Sequence, residues 1–381
     1  MQQTFYRDSW VEVNLDHIDY NIQQLRQRLS ESTNIYAVVK ANAYGHGDIQ
    51  VAKKALKAGA SGLAVALLDE AIKLREAEIT APILVMGWIR PEDSVVAAKY
   101  NITVTFYQKQ WLKQVKQLKL DNTLKLHMKW DTGMGRIGIR TIQELVDILG
   151  ELKEDNGEKF NLEGIFSHFA TADEASLDYY KQQKSVFNTL YQTFSDNWNK
   201  PVILHTGNSA ASMRFPDEML HYVRFGISMY GLYPSPIVKK ERPIDLKPAL
   251  SLHSKLIHVK KVEPGTSISY GATYTSTEEE WIGTIPLGYA DGIRRKLQGQ
   301  EVLIEGERYP IVGRICMDQL MIRMSKEYPI GTKVTLIGNE KQTEITMDEW
   351  ADRLETINYE IACMISYRVP RVYIENGVQI K

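Results

Sequence analysis

The chain has 381 residues, enough for two or three domains or for one large barrel with a smaller companion. A hydrophobic fraction of 44% and a charged fraction of 24% are those of an ordinary globular protein, which excludes disordered, collagen-like and coiled-coil chains. With 46 basic against 47 acidic residues there is no net positive field to draw nucleic acid or an anionic membrane surface, so neither is expected as a partner. Cys316 and Cys363 are too few for a disulfide framework or a thiolate metal site, and they point to the reducing cytoplasm and to no bound metal. The N-terminal stretch MQQTFYRDSWVEVNL lacks a basic segment followed by an apolar run, and nowhere do 18 apolar residues follow one another; neither export nor a membrane span is expected.

In chain order, Asp16 is placed to cap a helix that carries Ile18, Ile22, Leu25 and Leu29 on one face. Eight short apolar or β-branched runs then follow, at 36–40, 62–66, 82–87, 101–107, 125–130, 162–169, 202–207 and 222–232. The segments between them, such as IQVAKKALKAGA and IQELVDILGELKE, space apolar residues three and four apart, so the repeat is strand then helix and the sheet is parallel. Eight such units, with no GxGxxG after the first strand, predict an α/β fold whose N-terminal part, residues 1–240, is a (β/α)8 TIM barrel. The stretch YPSPIVKKERPIDLKP reads as a linker. Beyond it, strands alternate with glycine turns, which predicts a C-terminal β-rich domain over 241–381 that the lead strand, about residues 9–15, can join.

Lys40 ends the first barrel strand in YAVVKANAYGHG. The C-terminal strand ends of a barrel form its active-site face, and an ammonium among apolar residues has a lowered pKa that suits Schiff-base chemistry. The string KANAYGHG resembles the pyridoxal 5'-phosphate attachment motif of alanine racemases. Eight further signatures of that family stand in order along the chain: HMKWDTGMGRIG, FSHFATAD, HTGNSAA, RFGISMYGLYPS, SYGATY, GYADG, GRICMDQ and TINYE.

The resemblance implies a barrel followed by a β domain, and an isomerase that interconverts L- and D-alanine with two bases, supplying D-alanine for peptidoglycan. Lys40 then carries the cofactor and serves one face of the substrate, and Tyr270 serves the other. By the same resemblance His168 and Arg224 extend a hydrogen-bonded chain from Tyr270, while Tyr44, Ser209, Gly226, Ile227 and Tyr359 hold the phosphate. Taken alone, Ser209, Gly226 and Ile227 read as turn residues, and Tyr270 as one aromatic strand residue among 20 tyrosines. Arg224 matches the arginine that faces the pyridine nitrogen. A guanidinium hands over no proton there, which keeps the ring a weak electron sink and favours racemisation over transamination.

Strict alternation in KLHMKW puts Lys125, His127 and Lys129 on one face, which must fill the barrel interior because the other face packs on helices. Lys129 matches a lysine that is carbamylated in many family members, and unmodified it reads as a salt-bridge partner. Arg136 matches the arginine that binds the substrate carboxylate, and Met317 and Asp318 match residues that line the pocket from a partner subunit. Tyr289 matches a tyrosine of the access corridor; His46, His205, Asp173, Arg295 and Arg314 also fall inside family motifs. The family pattern implies a homodimer with shared sites, Lys40 from one chain and contributions of Tyr270, Arg136 and Met317 crossing a two-fold interface. Three alternatives are weighed against this: a racemase preferring serine, a non-catalytic cofactor-binding barrel, and the basic amino-acid decarboxylases. The β domain with Tyr270 and Tyr359 discriminates against the second, and Arg224, where the decarboxylases carry glutamate, against the third.

Overall fold

The computed structural model describes residues 5–380, so Met1–Thr4 of the N-terminal stretch and Lys381 lie outside the described residues. The chain forms two compact units, one of residues 18–43 and 48–247, the other of residues up to 17, 44–47 and 248 onward.

After the lead strand β1 (Ser9–Asn14), the first unit contains eight strands: β2 (Asn34–Val38), β3 (Gly62–Val65), β4 (Ile83–Val85), β5 (Thr103–Phe106), β6 (Leu124–Lys129), β7 (Phe160–Phe166), β8 (Ile203–His205) and β9 (Tyr222–Phe225). They pair in parallel in the order β8-β7-β6-β5-β4-β3-β2-β9, and helices fill the connections, which is the TIM barrel. Between β8 and β9 the ring is drawn together by single bonds: the Arg224 amide donates to the Gly207 carbonyl at 2.9 Å, and the Leu204 amide donates to His221 Nδ1 at 2.9 Å. β3 and β5 are buried at every residue, as strands covered on both faces must be.

The apolar runs at 162–169 and 222–232 are longer than the strands they contain. β7 stops at Phe166, which leaves Ser167 and His168 on the barrel's upper rim. β9 stops at Phe225, because Gly226 turns the chain into the short 3-10 segment Ile227–Tyr230. On β6, Trp130 just past the strand packs outward on Phe187 and Phe194 of the helix Asp178–Asn197, with ring centroids 5.1 and 6.2 Å away. His127 and Lys129 consequently point into the barrel, as the alternation requires.

Two local expectations are corrected. The cap of the helix Leu15–Arg26 is Asn14, whose Oδ1 accepts the His17 amide at 3.1 Å, while the Asp16 carboxylate accepts the Asn376 amide at 2.7 Å. The stretch read as a linker is folded onto the first unit: it contains the helix Pro236–Glu241, capped by Ser235, with Val238 fully buried and Arg214 paired to Glu241 at 2.6 Å.

The second unit is built on an eleven-stranded sheet. β1 lies antiparallel to β10 (Leu250–Lys255) and parallel to the strand Arg371–Glu375, so the two ends of the chain share one sheet. Alternate residues of β1, namely Ser9, Val11 and Val13, are buried, the period-2 pattern of a strand with one covered face. Among the described residues no helix is long and apolar enough to cross a membrane.

Candidate active site

Lys40 immediately follows β2. The backbone after it is unusual: Ala41, Asn42, Ala43 and Tyr44 all have left-handed φ, between 51° and 53°. Gly45 continues with φ of 82°, where any Cβ would come within 2.3 Å of the Ala362 carbonyl oxygen. For L-residues the left-handed region costs about 1–2 kcal/mol each and is rarely occupied in succession, so this turn is held by its surroundings.

Around the barrel axis the interior ends of β6, β7, β8 and β9 converge on Arg224, which is almost wholly buried. One terminal nitrogen donates to His205 Nδ1 at 2.8 Å and to the His205 carbonyl at 3.0 Å. The other donates to the Ser167 carbonyl at 2.7 Å, the Thr206 carbonyl at 3.1 Å and His168 Nδ1 at 3.2 Å. A guanidinium only donates, so both imidazoles must accept through Nδ1 and carry their hydrogen on Nε2. His205 Nε2 therefore donates to His127 Nδ1 at 2.9 Å, which fixes the His127 hydrogen on Nε2 as well. His205 stacks on Phe166 at 4.8 Å, with the rings only 4° from parallel. The Arg224–His205–His127 arm was missed as a unit by sequence reasoning, because residues 78 apart meet only when the barrel closes.

Positive charge collects here. Burial first, then Arg224, Lys129, Arg136 and Lys40, pushes His168 well below the ordinary imidazole value. Lys129 is buried with its ammonium 4.6 Å above the Phe166 ring. Burial, followed by Arg224 and Arg136, holds it well below the ordinary lysine value, with Asp131 acting the other way. Arg136 stands on the loop after β6, whose base is tied by the Asp131 amide to the Ile139 carbonyl and by the Ile139 amide to the Lys129 carbonyl, each 2.9 Å. Gly138 is needed in that loop, since a Cβ would meet the Asp131 nitrogen at 2.4 Å. Arg136, expected among the groups that cross to a second chain, thus lies in the same barrel unit as Lys40.

The loops after β8 and β9 meet through Ser209 and Gly226. Asn208 caps the short helix Ser209–Arg214 by accepting the Ala211 amide at 2.9 Å. Ser209 Oγ accepts the Gly226 amide at 2.9 Å, and its own hydrogen remains to be donated. Just beyond Ile227, Ser228 Oγ is fully buried without a hydrogen-bond partner among the described residues.

The other expected residues belong to the second unit. Tyr44 is buried, with its ring 6.3 Å from that of Tyr359, and burial pushes its phenol pKa up. Tyr270, in a tight turn flanked by Ser269 and Ala272 at positive φ, is 70% exposed. Its neighbour Gly271 is covered by the Arg314 guanidinium, 2.9 Å from where a Cβ would stand. Ser269 Oγ donates to the Arg314 carbonyl at 2.5 Å. The amides of Tyr289 and Ala290 donate to the Cys316 and Met317 carbonyls at 3.0 Å, so Tyr270, Arg314, Met317 and Tyr289 share one exposed surface. Asp318 is paired with Arg368 at 2.6 Å.

Three imidazoles held neutral inside one barrel have a consequence for acid stability. Burial, then Arg224, lowers His127 to about 3, and the same two causes come first for His168 and His205. Below about pH 6.5 the unfolded chain binds a proton at each site that the folded chain does not, so stability falls with pH by about 1.4 kcal/mol per unit per histidine. At pH 5 His127 alone costs about 2 kcal/mol, and His168 and His205 act in the same direction. Urea unfolding of the cofactor-free protein between pH 7 and 5 should show this slope, and His127→Asn should remove about one proton's share of it. An unchanged slope in that variant would show that His127 is not neutral in the fold.

Two family models match the chain: the alanine racemase N-terminal domain over residues 13–234 and the alanine racemase C-terminal domain over residues 249–373. An alanine racemase of Geobacillus stearothermophilus is 52% identical over 373 residues, covering 98% of this chain and 95% of that protein. Alanine racemase 1 of Bacillus subtilis is 49% identical over 98% of this chain and 95% of its own length. The crystal structure of the Bacillus anthracis alanine racemase with bound L-Ala-P superposes with a TM-score of 0.96 at 48% identity, covering 99% of this chain and 98% of that one. Matched in both units and over nearly its whole length, with the nine signatures in order, the chain belongs to the alanine racemase family.

Proposed function

We propose that the chain interconverts L- and D-alanine in the cytoplasm, using pyridoxal 5'-phosphate bound through Lys40 and two bases, Lys40 and Tyr270, and that D-alanine for peptidoglycan is its product. The observation that carries the reading is the gathering of Lys40, Lys129, Arg136 and Arg224 around one neutral, largely buried imidazole. Arg224 is buried with Arg136 and Lys40 close by, and a phosphate and a substrate carboxylate are the anions this reaction brings to such a cluster.

The residues present fit the cofactor. Ser209, with a hydroxyl hydrogen to give, and the amide of Ile227 would hold the phosphate, helped by Tyr44 and Tyr359; the buried, unpartnered Ser228 hydroxyl marks this loop as an acceptor's place. Arg224 spends both terminal nitrogens on protein acceptors, which leaves its Nε hydrogen for the ring nitrogen. When bound, the cofactor withdraws electrons from the substrate Cα and so acidifies its proton.

The chain's own groups do the rest. Arg136 offers a planar fork to the substrate carboxylate. Lys40 moves the Cα proton on one face and Tyr270 moves it on the other, since inversion needs a base on each side. His168, neutral and with its hydrogen on Nε2, is set to donate to the phenolic oxygen and so to favour its charged form. Lys129, held below its ordinary pKa and therefore a nucleophilic amine, is suited to take up carbon dioxide as a carbamate. The amine nitrogen bonds to the carbon, one N–H proton is released to solvent, and the new anion offsets Arg136 and Arg224.

Two measurements on the purified protein test the reading. L-alanine should lose its circular dichroism to zero, and borohydride reduction followed by peptide mapping should fix the cofactor on Lys40. Persistence of the signal, or attachment at another lysine, would defeat the assignment.

A further inference from the structure

The left-handed turn after Lys40 is pinned from one side by a single helix. In the helix Leu68–Glu76, Glu70 Oε1 accepts the Ala41 amide at 2.6 Å, and Glu70 Oε2 accepts the amides of Ala66 at 2.8 Å and Leu67 at 3.1 Å. One turn further along, Lys73 donates to both carboxylate oxygens of Asp48 at 2.8 Å, and the Asp48 amide donates to Asn42 Oδ1 at 3.1 Å. Between these two anchors the Ala43 amide closes the turn on the Val39 carbonyl at 2.9 Å. Glu70 thus joins the upper end of β2 to the upper end of β3. Its contact to Ala41 is a charge-assisted bond to the first residue of a backbone conformation that alanine does not choose unaided.

We propose that Glu70 is a positioning residue for Lys40: its carboxylate holds the left-handed turn, and the turn fixes where the lysine side chain starts. The inference rests on the reading of Lys40 as the base that serves the D-alanine proton. If Ala41 relaxes toward the right-handed region, the chain direction just past Lys40 changes, and a displacement of about 1 Å at a reacting group can cost about a hundredfold in rate. The turn is strained where alanine stands and would not be strained with glycine, which enters the left-handed region without penalty. That difference separates the clamp from the ordinary capping role Glu70 also plays for its own helix.

Glu70→Gln keeps one acceptor oxygen and cannot serve both sides. It should lower kcat by about tenfold or more with KM changed less than about threefold. The α-deuterium isotope effect should rise for D-alanine, where Lys40 takes the proton, and not for L-alanine. In the cofactor-free protein, hydrogen exchange at the Ala43 amide should quicken by about tenfold or more, because that bond exists only while the turn is formed. Ala41→Gly added to Glu70→Gln should restore all three. Ala41→Val, which leaves Glu70 and the helix cap untouched, should by itself reproduce the Ala43 exchange and the D-alanine isotope effect. If Glu70→Gln slows the enzyme and Ala41→Gly does not restore it, Glu70 only caps its helix and the proposal fails. It fails equally if exchange at Ala43 is unchanged in Glu70→Gln and in Ala41→Val. Borohydride mapping of the same preparations keeps the two questions apart: cofactor on another lysine overturns the functional reading, whereas cofactor on Lys40 with an unmoved Ala43 overturns the clamp alone.

Discussion

Arg224→Glu is expected to slow racemisation by about a hundredfold or more and to open transamination, read as pyruvate released from alanine. Two consequences of the substitution lead there. A carboxylate favours a protonated ring nitrogen, whereas a guanidinium gives that nitrogen a hydrogen bond but no proton, and protonation would strengthen electron withdrawal and favour reaction away from Cα. The replacement also turns a donor into an acceptor among the carbonyls of Ser167, His205 and Thr206, which all accept from Arg224. Leaving them unpaired around a buried charge should cost about 3–5 kcal/mol of stability. Arg224→Gln distinguishes the two consequences: its amide can give the ring nitrogen a hydrogen bond but no proton, so it should lose stability and rate without releasing pyruvate. Burial, with Arg136 nearby, draws Arg224 down to about 9, which still leaves it charged at neutral pH. A Glu variant with wild-type rate and no pyruvate would remove the role assigned to Arg224.

The barrel was legible because its strands announce themselves as apolar runs of the right length between helices with a 3.6-residue period. The strand KLHMKW even gave its orientation, since Trp130 has to face a helix if Lys129 faces the interior, and it packs on Phe187 and Phe194. What stayed hidden was made by closure or by strain. His127 and His205 are a bonded pair only once β6 and β8 stand in one ring. In the turn Ala41–Tyr44, Asn42 alone belongs to a residue type that tolerates positive φ, so neither propensity nor pattern predicts four left-handed residues in a row. Glu70 gave no signal because an acidic residue in the first turn of a helix is common, and its second task depends on a partner 29 positions earlier. The linker reading failed for a related reason: YPSPIVKKERPIDLKP is rich in proline and lysine, yet Ser235 and Pro236 are the start of a helix, and Val238 buries it.

A mixture of Lys40→Ala and Tyr270→Ala chains, each at least about a thousandfold impaired alone, should recover about a quarter of wild-type activity when unfolded and refolded together. The proposal behind this is a two-fold dimer in which Tyr270 of one chain serves Lys40 of the other. Within a single chain Tyr270 is 70% exposed, and Met317 and Tyr289, on the same surface, are 53% and 43% exposed. Large apolar side chains gathered in this way fit the partner-covered surface that this proposal requires. In a mixed dimer one site then carries both lesions and the other carries neither. Random pairing makes half the dimers mixed, each with one intact site of two, which gives the quarter. If Tyr270 served the lysine of its own chain, every site in every dimer would keep one lesion, and refolding together would return no more than the two parents show apart. The second outcome would leave Tyr270 as a base but would end the shared site. Arg136→Ala then supplies a control with the opposite pattern, because Arg136 lies in the barrel unit with Lys40. Paired with Lys40→Ala it puts one lesion in each site, and it should not complement.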